Sequence, residues 1–322
     1  MAFFRETFKP LIYALRSTLG VNGLAAGMRE IKSEMADVAT VVREVRDSAH
    51  VELENGEQLM QVLLRQHYRA FADHSRPQPD FADVEFRCHS QNGEDGILLY
   101  IFSLIGATNR KALEICAGDG IECNAANLIL NHSFSGLLFD GNAEQIERGR
   151  AFYAAHKNTR IRPPQLVAAW ITAEAINDQV AMHGFAGDID LLSLDLDGND
   201  YWVWKALTVV RPRVVVLEFN ASCGPEVAAA MSYRPDYRLD YAATPYRCGA
   251  SLAAFVKLGH ARGYRLVGIQ RLGFNAFFIR EDVGTDLFPE VTAAQLYARH
   301  GPRDWSAEAD TIMSGSEGWE WV

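Results

Sequence analysis

Two different rhythms of apolar positions run along this chain. In the first, Ile31, Met35, Val38, Val42, Val45 and Ala49 recur at steps of 4-3-4-3-4. That is the a/d pattern of a short coiled coil, with β-branched residues opening each heptad counted from Ile31. Charges flank the stripe, among them Arg29, Glu30, Lys32, Glu34, Arg43 and Glu44. The pattern predicts helix from about residue 28 to 72, interrupted at "ENGEQ" (54–58) and resumed in "LMQVLLRQHYRAFADH". The same stripe also suits an amphipathic helix packed on its own domain. "SRPQPD" (75–80) reads as a linker by its prolines.

After the linker the rhythm changes. Short apolar runs alternate with helix-like segments: "ALEIC" (112–116), "GLLFD" (136–140), "QLVAAWI" (165–171), "DLLSLDL" (190–196), "RVVVLEF" (213–219), "YRLVGIQ" (264–270) and "NAFFIR" (275–280). Strands separated by crossover helices build a parallel sheet covered on both faces. Only "RLGF" separates the last two runs, a hairpin-sized gap. The expected fold is α/β: a Rossmann-like, doubly wound, seven-stranded and mostly parallel sheet with one antiparallel edge strand, preceded by the α-helical N-terminal region. The expected divisions are an amphipathic segment at 1–27, a helical oligomerisation region with its linker at 28–80, the α/β domain at 81–285 and a C-terminal extension at 286–322. The closing "TIMSGSEGWEWV" reads as a docking peptide or an unstructured end.

Composition narrows the function classes. In 322 residues, 48% are hydrophobic and 22% charged, which suits a globular protein with a sizeable core. A net charge of −10 argues against an extended nucleic-acid footprint. Five cysteines, an odd number without a CxxC pair, argue against a disulfide framework or zinc knuckle and favour a reducing cytosol. No apolar run is long enough to span a membrane. In the first 20 residues Glu6, Lys9 and Pro10 break up any signal-peptide core. Phe4, Phe8, Leu11, Ile12 and Leu15 share one helical face there, which would suit either packing on the protein or a peripheral place at the inner membrane surface.

In an open α/β sheet the ligand lies beyond the carboxyl ends of the strands, so the run ends hold the candidate chemistry. The first run ends in Glu114-x-Cys116-x-Gly118-x-Gly120, followed by Asn124. Glycines there permit a sharp turn and a close approach to a ligand. The second ends in Asp140-Gly141, about 20 residues on, the spacing at which an acidic side chain accepts hydrogen bonds from ribose hydroxyls. The third ends in Trp170, a candidate cover for a base or a core tryptophan. The fourth delivers Asp195 and Asp197 with Asp200 behind them, and the fifth Glu218 and Asn220. Asp190 belongs at the opposite, amino end. Carboxylates that converge repel unless a cation or proton is shared. An all-oxygen set of Asp195, Asp197, Glu218 and Asn220 suits Mg²⁺ or Mn²⁺, or else a metal-free hydrogen-bonded network.

These residues resemble the class I S-adenosylmethionine-dependent methyltransferases over roughly residues 85–282. "DIDLLSLDLDGNDYW" is similar to an Asp-Leu-Leu-Lys-Ile-Asp-x-Glu-Gly pattern of the FkbM-type enzymes, with Asp197 in place of the Glu. The cation-dependent O-methyltransferases of the caffeoyl-CoA type carry Asp at the positions of Asp190, Asp195 and Asp197, and Tyr at that of Tyr201. Their adjacent Asp-Asn is here Glu218-Phe219-Asn220. The resemblance implies S-adenosylmethionine held by Gln91, Glu114, Gly118, Gly120, Asn124, Asp140, Gly141, Trp170 and Asp195. It implies O-methylation of a sugar hydroxyl on a polysaccharide, glycan or nucleotide sugar.

A sugar hydroxyl is a poor acid. Its proton must be removed by a base or made more acidic by a cation. Asp195, Asp197 and His89 are the candidate catalytic groups. The tyrosine- and arginine-rich stretch at 231–251 is too long for a simple connection and should cover the acceptor; with Tyr201 it offers Tyr233, Arg234, Tyr246 and Arg247 as substrate contacts. An NAD(P)-dependent oxidoreductase, a metal-dependent hydrolase and a non-catalytic oligomeric scaffold remain alternatives, although Cys116 spoils a dinucleotide glycine set. A homo-oligomer held by the N-terminal helices is the expected assembly.

Overall fold

The computed structural model describes residues 21–73, 77–240, 242, 248–300, 309–310 and 318–322. Residues 1–20 of the amphipathic segment expected at 1–27, and the candidates Tyr246 and Arg247, lie outside the described residues. The chain divides into two compact units, Met1–Val62 and Leu63–Val322.

Helix α1 runs unbroken from Val21 to Arg69. The expected interruption at "ENGEQ" does not occur. A single helix-interior glycine, Gly56, costs only about 1 kcal/mol relative to alanine, and nothing lies within 4 Å of its missing side chain. Gly23 and Gly27 lie in the same helix, and three such penalties spread over 49 residues do not break it.

In the second unit α2 (Phe81–Val84) and α3 (Glu94–Ile105) precede the sheet. The chain then alternates: β1 (Lys111–Ile115), α4 (Ala126–His132), β2 (Ser135–Asp140), α5 (Ala143–Ala155), β3 (Gln165–Ala168), α6 (Ile176–Met182), β4 (Gly187–Leu194), α7 (Asp200–Ala206) and β5 (Val210–Glu218). A short β6 (Ala229–Met231) follows, then α8 (Leu252–Ala261), the hairpin β7 (Tyr264–Ile269) and β8 (Asn275–Arg280), α9 (Ala293–His300) and β9 (Trp319–Trp321).

The seven-stranded sheet has the order β3-β2-β1-β4-β5-β8-β7. β1 to β5 are parallel. β8 is antiparallel to both β5 and β7. The hairpin therefore supplies one antiparallel strand at this side of the sheet, one place in from the edge. β7 takes the outermost place because it and β8 join through a tight turn, and β8 is the one that pairs Val214–Glu218 of β5.

Alternation along the strands fills two cores. Leu113 and Ile115 of β1, Leu192 and Leu194 of β4, and Val215 and Leu217 of β5 face one, centred on fully buried Trp204. Ala112, Leu191, Val214 and Val216 face the other with α3 and α4. The amino end of the sheet is closed by Asp190, which accepts the backbone N–H groups of Thr108, Asn109 and Arg110 and pairs with Arg213 at 3.0 Å. Its place there matches the expectation from sequence. Strand order reverses between β1 and β4, so a crevice opens at their carboxyl ends.

The last strand is a departure from the sequence reading. Trp319–Trp321 pairs antiparallel with β6 of the same chain, Ala229 opposite Trp321 and Met231 opposite Trp319. Trp319 is buried with Cys223, Ala229 and Met231. Only Trp319 packs; Glu320 and Trp321 stay exposed. No helix among the described residues is long and apolar enough to cross a membrane.

Candidate functional site

The floor of the crevice is the loop after β1. Cys116, Gly118 and Gly120 adopt φ of +62°, +59° and +71°. Only at the two glycines is this conformation free of a Cβ penalty. Cys116 takes it at a cost, inside a loop stitched shut by Glu114. One oxygen of that carboxylate accepts from the Asn124 N–H at 2.9 Å and from the Ser193 hydroxyl at 3.2 Å, and the other accepts from the Ala125 N–H at 2.7 Å. Burial pushes the Glu114 carboxyl above its ordinary range. Asn124 adds a side-chain hydrogen bond to Ser193 at 3.0 Å. Desolvation, then Asp200, Asp140, Asp195 and Asp197, push the Cys116 thiol up. Those neighbouring carboxylates favour the protonated thiol at neutral pH.

Asp140 ends β2 and faces the same loop. Its Oδ2 accepts the Gly118 N–H at 2.8 Å and its Oδ1 the Asn142 N–H at 2.7 Å. A carboxylate has about four acceptor directions, so two remain for a ligand. Asn142 caps α5 by accepting from Glu144 and Gln145. Trp170, two residues past β3, is 46% exposed and forms a wall. A Cβ on Gly141 would meet the Trp170 ring at 2.9 Å, so the glycine is what lets the ring lie there. The indole N–H donates to Pro235 O at 2.7 Å, and the Arg238 guanidinium stands 4.7 Å from the ring centroid.

Asp195, Asp197 and Glu218 converge beyond β4 and β5, with one oxygen of each within 4.8 Å of the others. Asp197 sits at φ +57°, a conformation aspartate tolerates better than most residues. Asp200 shapes this turn, accepting from Leu196 N–H at 2.7 Å and Gly198 N–H at 3.2 Å. Burial, then the neighbouring carboxylates, raise both Asp195 and Glu218. Burial pushes Asp200 up to about 6.

Two adjoining cavities occupy the crevice. One of about 460 Å³ is lined by the Glu114–Asn124 loop, Gln91, Glu94 and Asn275. The other, about 990 Å³, runs from Asp140 and Trp170 past the three carboxylates to Tyr237 and Arg238. Gln91, Cys116, Gly118 and Asp195 line both. Of the cofactor candidates, Gln91, Glu114, Gly118, Asn124, Asp140, Gly141, Trp170 and Asp195 line one cavity or both. Gly120 lies beneath them, buried against Leu138.

Several candidates fall elsewhere. Asn220 is not among the gathered carboxylates: its Oδ1 accepts the Ser222 N–H and its Nδ2 donates to Cys248 O, which caps a single 3₁₀ turn. Tyr201 lines neither cavity because α7 turns it into the core against Phe255. Tyr233 is drawn away by Glu174, to which its hydroxyl donates at 2.6 Å. Arg234 is exposed toward Asp236, 3.9 Å away. His89 lines neither cavity; its loop wraps Asp95, whose Oδ2 accepts from Cys88, His89 and Ser90 N–H, and that turn delivers Gln91 instead. The segment at 231–251 does reach the crevice, through Tyr237, Arg238 and Leu239. The Tyr237 ring lies 2.5 Å from where a Gly198 Cβ would stand, so that glycine admits it. Tyr237 and Arg238 repeat the Tyr-Arg pair of 233–234 four residues on, a signal of composition without phase. Nothing in the sequence marks Asn275, whereas Glu94 lies in "SQNGEDG" (90–96), a stretch similar to one in the FkbM-type enzymes.

No family model and no curated protein matches the chain. Among solved structures, the N-terminal domain of EvdMO1 with SAH bound is similar at 15% identity, covering 67% of this chain and 94% of that one, with a TM-score of 0.39. An O-methyltransferase from Bacillus cereus in complex with SAH is similar at 16% identity, covering 66% and 94%, with a TM-score of 0.38. The glycopeptide N-methyltransferase MtfA, complexed with SAH, follows at 12%, 62%, 95% and 0.37. Values this low carry no argument about chemistry, which rests on the residues above.

Proposed function

We propose that the chain is an S-adenosylmethionine-dependent O-methyltransferase that acts, with the help of a divalent cation, on a sugar hydroxyl. The observation that carries the reading is the charge of the smaller cavity beside Asp140. Glu94, Glu114, Asp119, Glu122 and Asp195 line it, and its one lining cation, Arg148, is paired with Asp119 at 2.5 Å. Such a wall repels a pyrophosphate and favours a ligand with an ammonium and a sulfonium. This supports the sulfonium cofactor over a dinucleotide. The free acceptor sites of Asp140 suit two ribose hydroxyls, and the exposed face of Trp170 suits a base.

The cofactor supplies an electrophilic methyl group. The chain must place an acceptor oxygen in line with it and dispose of the proton. The three carboxylates suit a hard divalent cation: all their donors are oxygen, and no histidine or cysteine stands among them. Without a cation Glu218 keeps a proton, so cation binding should release one and weaken as pH falls. A cation held by Asp195, Asp197 and Glu218 would lend Lewis acidity to a bound hydroxyl. Tyr237 and Arg238 stand on the acceptor side, a ring and a guanidinium fork that suit a sugar bearing phosphate or carboxylate.

Calorimetric titration with S-adenosylmethionine, S-adenosylhomocysteine and NADH, in EDTA and in Mg²⁺ or Mn²⁺, tests the reading. Micromolar binding of S-adenosylmethionine and S-adenosylhomocysteine, lost in Asp140→Ala, is expected. Absence of binding at millimolar concentration, or preference for NADH, sinks it. Mn²⁺ binding that survives Asp195→Ala sinks the cation site alone.

A further inference from the structure

We propose that α1 is the core strand of a homo-oligomeric coiled coil of three or more copies. The unbroken helix carries the observation. Because "ENGEQ" does not interrupt it, the register of Ile31 to Ala49 extends at the same steps. It continues back through Met28, Leu24 and Val21, and after one polar step at Glu52 and Gly56 it resumes at Leu59 and Leu63. The seam thus spans 43 residues of one helix about 73 Å long. Its described members are open: Met35 is 68% exposed, Val38 and Val42 61%, Leu59 63%.

The occupant follows from the repeat. A straight helix drifts about 20° per heptad away from a 3.5-residue stripe. A stripe held in register for six heptads matches only another helix of the same repeat, supercoiled with it. Among the described residues α1 alone carries that repeat, so the partner is a second copy. A membrane surface fits less well. It would call for a basic polar face, whereas α1 carries eight acidic and six basic residues of mixed placement.

The strand number follows from which seam positions branch. The step of four from Ile31 to Met35, then three to Val38, puts Ile31, Val38 and Val45 at d and Met35, Val42 and Ala49 at a. Parallel pairs favour the reverse, with β-branching at a and leucine at d, an arrangement that Val21 and Leu24 at the start and Leu59 near the end follow but the middle of the seam does not. Val41, Met60 and Val62, beside the seam, are also exposed. They widen the apolar stripe beyond what one neighbour covers.

Sedimentation velocity with light scattering on the full chain, at about 10–100 μM, reads the outcome. Three or four chain masses are expected. Val38→Glu with Val42→Glu should reduce the mass to one chain, whereas Thr40→Glu, on the opposite face, should leave it unchanged. All six tryptophans lie in Leu63–Val322, so an unchanged near-ultraviolet circular dichroism spectrum shows that this unit still folds in the seam variant. One or two chain masses for the unsubstituted chain overturn the proposal. So does a mass unmoved by the seam variant, or binding of a single chain to anionic phosphatidylserine vesicles that the seam variant abolishes.

Discussion

Replacing Gly149 with alanine should destabilise the α/β unit, even though the residue lies inside a helix. Helix propensity alone favours the change by about 1 kcal/mol. Packing opposes it. A Cβ at Gly149 would lie 2.0 Å from the carbonyl oxygen of Asp119 and 2.4 Å from Leu166 Cδ2. The leucine can turn aside, but the carbonyl belongs to the loop that Glu114 stitches at Asn124 and Ala125. Restoring an ordinary contact needs about 1 Å or more of separation between α5 and that loop, an overpacking whose typical cost is about 1–3 kcal/mol. The expected net is a loss of up to about 2 kcal/mol, since the backbone contact puts the packing cost at the upper end of that range, above the propensity gain. Urea unfolding followed by tryptophan fluorescence measures it. The displaced loop also lines both cavities, so affinity for S-adenosylhomocysteine should fall at least tenfold. Gly56→Ala in α1 is the matched control: with nothing near the new methyl group, it should raise helix stability by about 1 kcal/mol. A Gly149→Ala protein that is as stable as the parent and binds ligand equally well refutes the reasoning.

Asp190→Ala should cost about 3–5 kcal/mol by leaving Arg213 buried without its partner. Ligand affinity of the folded protein should be unchanged, because Asp190 lies at the far end of the sheet. Asp200 titrates near 6 in the fold, above its ordinary value. Its contribution is therefore complete below about pH 4 and is lost as pH rises through 6, about 3 kcal/mol in all. Comparing the pH dependence of urea unfolding in EDTA for Asp200→Asn and the parent isolates it; parallel curves would contradict the assignment. Trp319→Ala should speed hydrogen exchange across residues 229–239 at least tenfold, because β9 holds β6 in place, while exchange in β1 and β4 stays as it was.

The sheet and the acidic strand ends were legible because both follow local rules. Buried parallel strands read as apolar runs, and residues just past them must share one edge. That logic alone brings Asp140, Asp195, Asp197 and Glu218 to one edge of the sheet. What escaped depended on contacts between distant segments. Asn220 is two residues from Glu218, yet its amide was claimed by Ser222 and Cys248. Tyr201 has the residue type of a substrate contact but faces inward, since α7 buries that side. Within the cover segment, composition announced a wall of tyrosine and arginine, but Glu174, which detains Tyr233, is 59 residues away in sequence. The pairing of β9 with β6 spans nearly 90 residues, and no window of sequence contains both. The break expected at Gly56 failed for the opposite reason: a local penalty was set against the cooperativity of a long helix.

Glu114 bears on how fast ligands can come and go. With both its oxygens holding the loop ends to the sheet, the lower side of the crevice has no hinge. Traffic must pass the upper side, where Trp170, Pro235 and Arg238 meet through a single hydrogen bond and a ring contact, outboard of the ties from Asn199 to Arg234 and from Tyr233 to Glu174. The doorway is thus fastened far more weakly than the foundation. Turnover should follow the opening rate of that doorway, and substitutions there should change residence time before they change equilibrium stability.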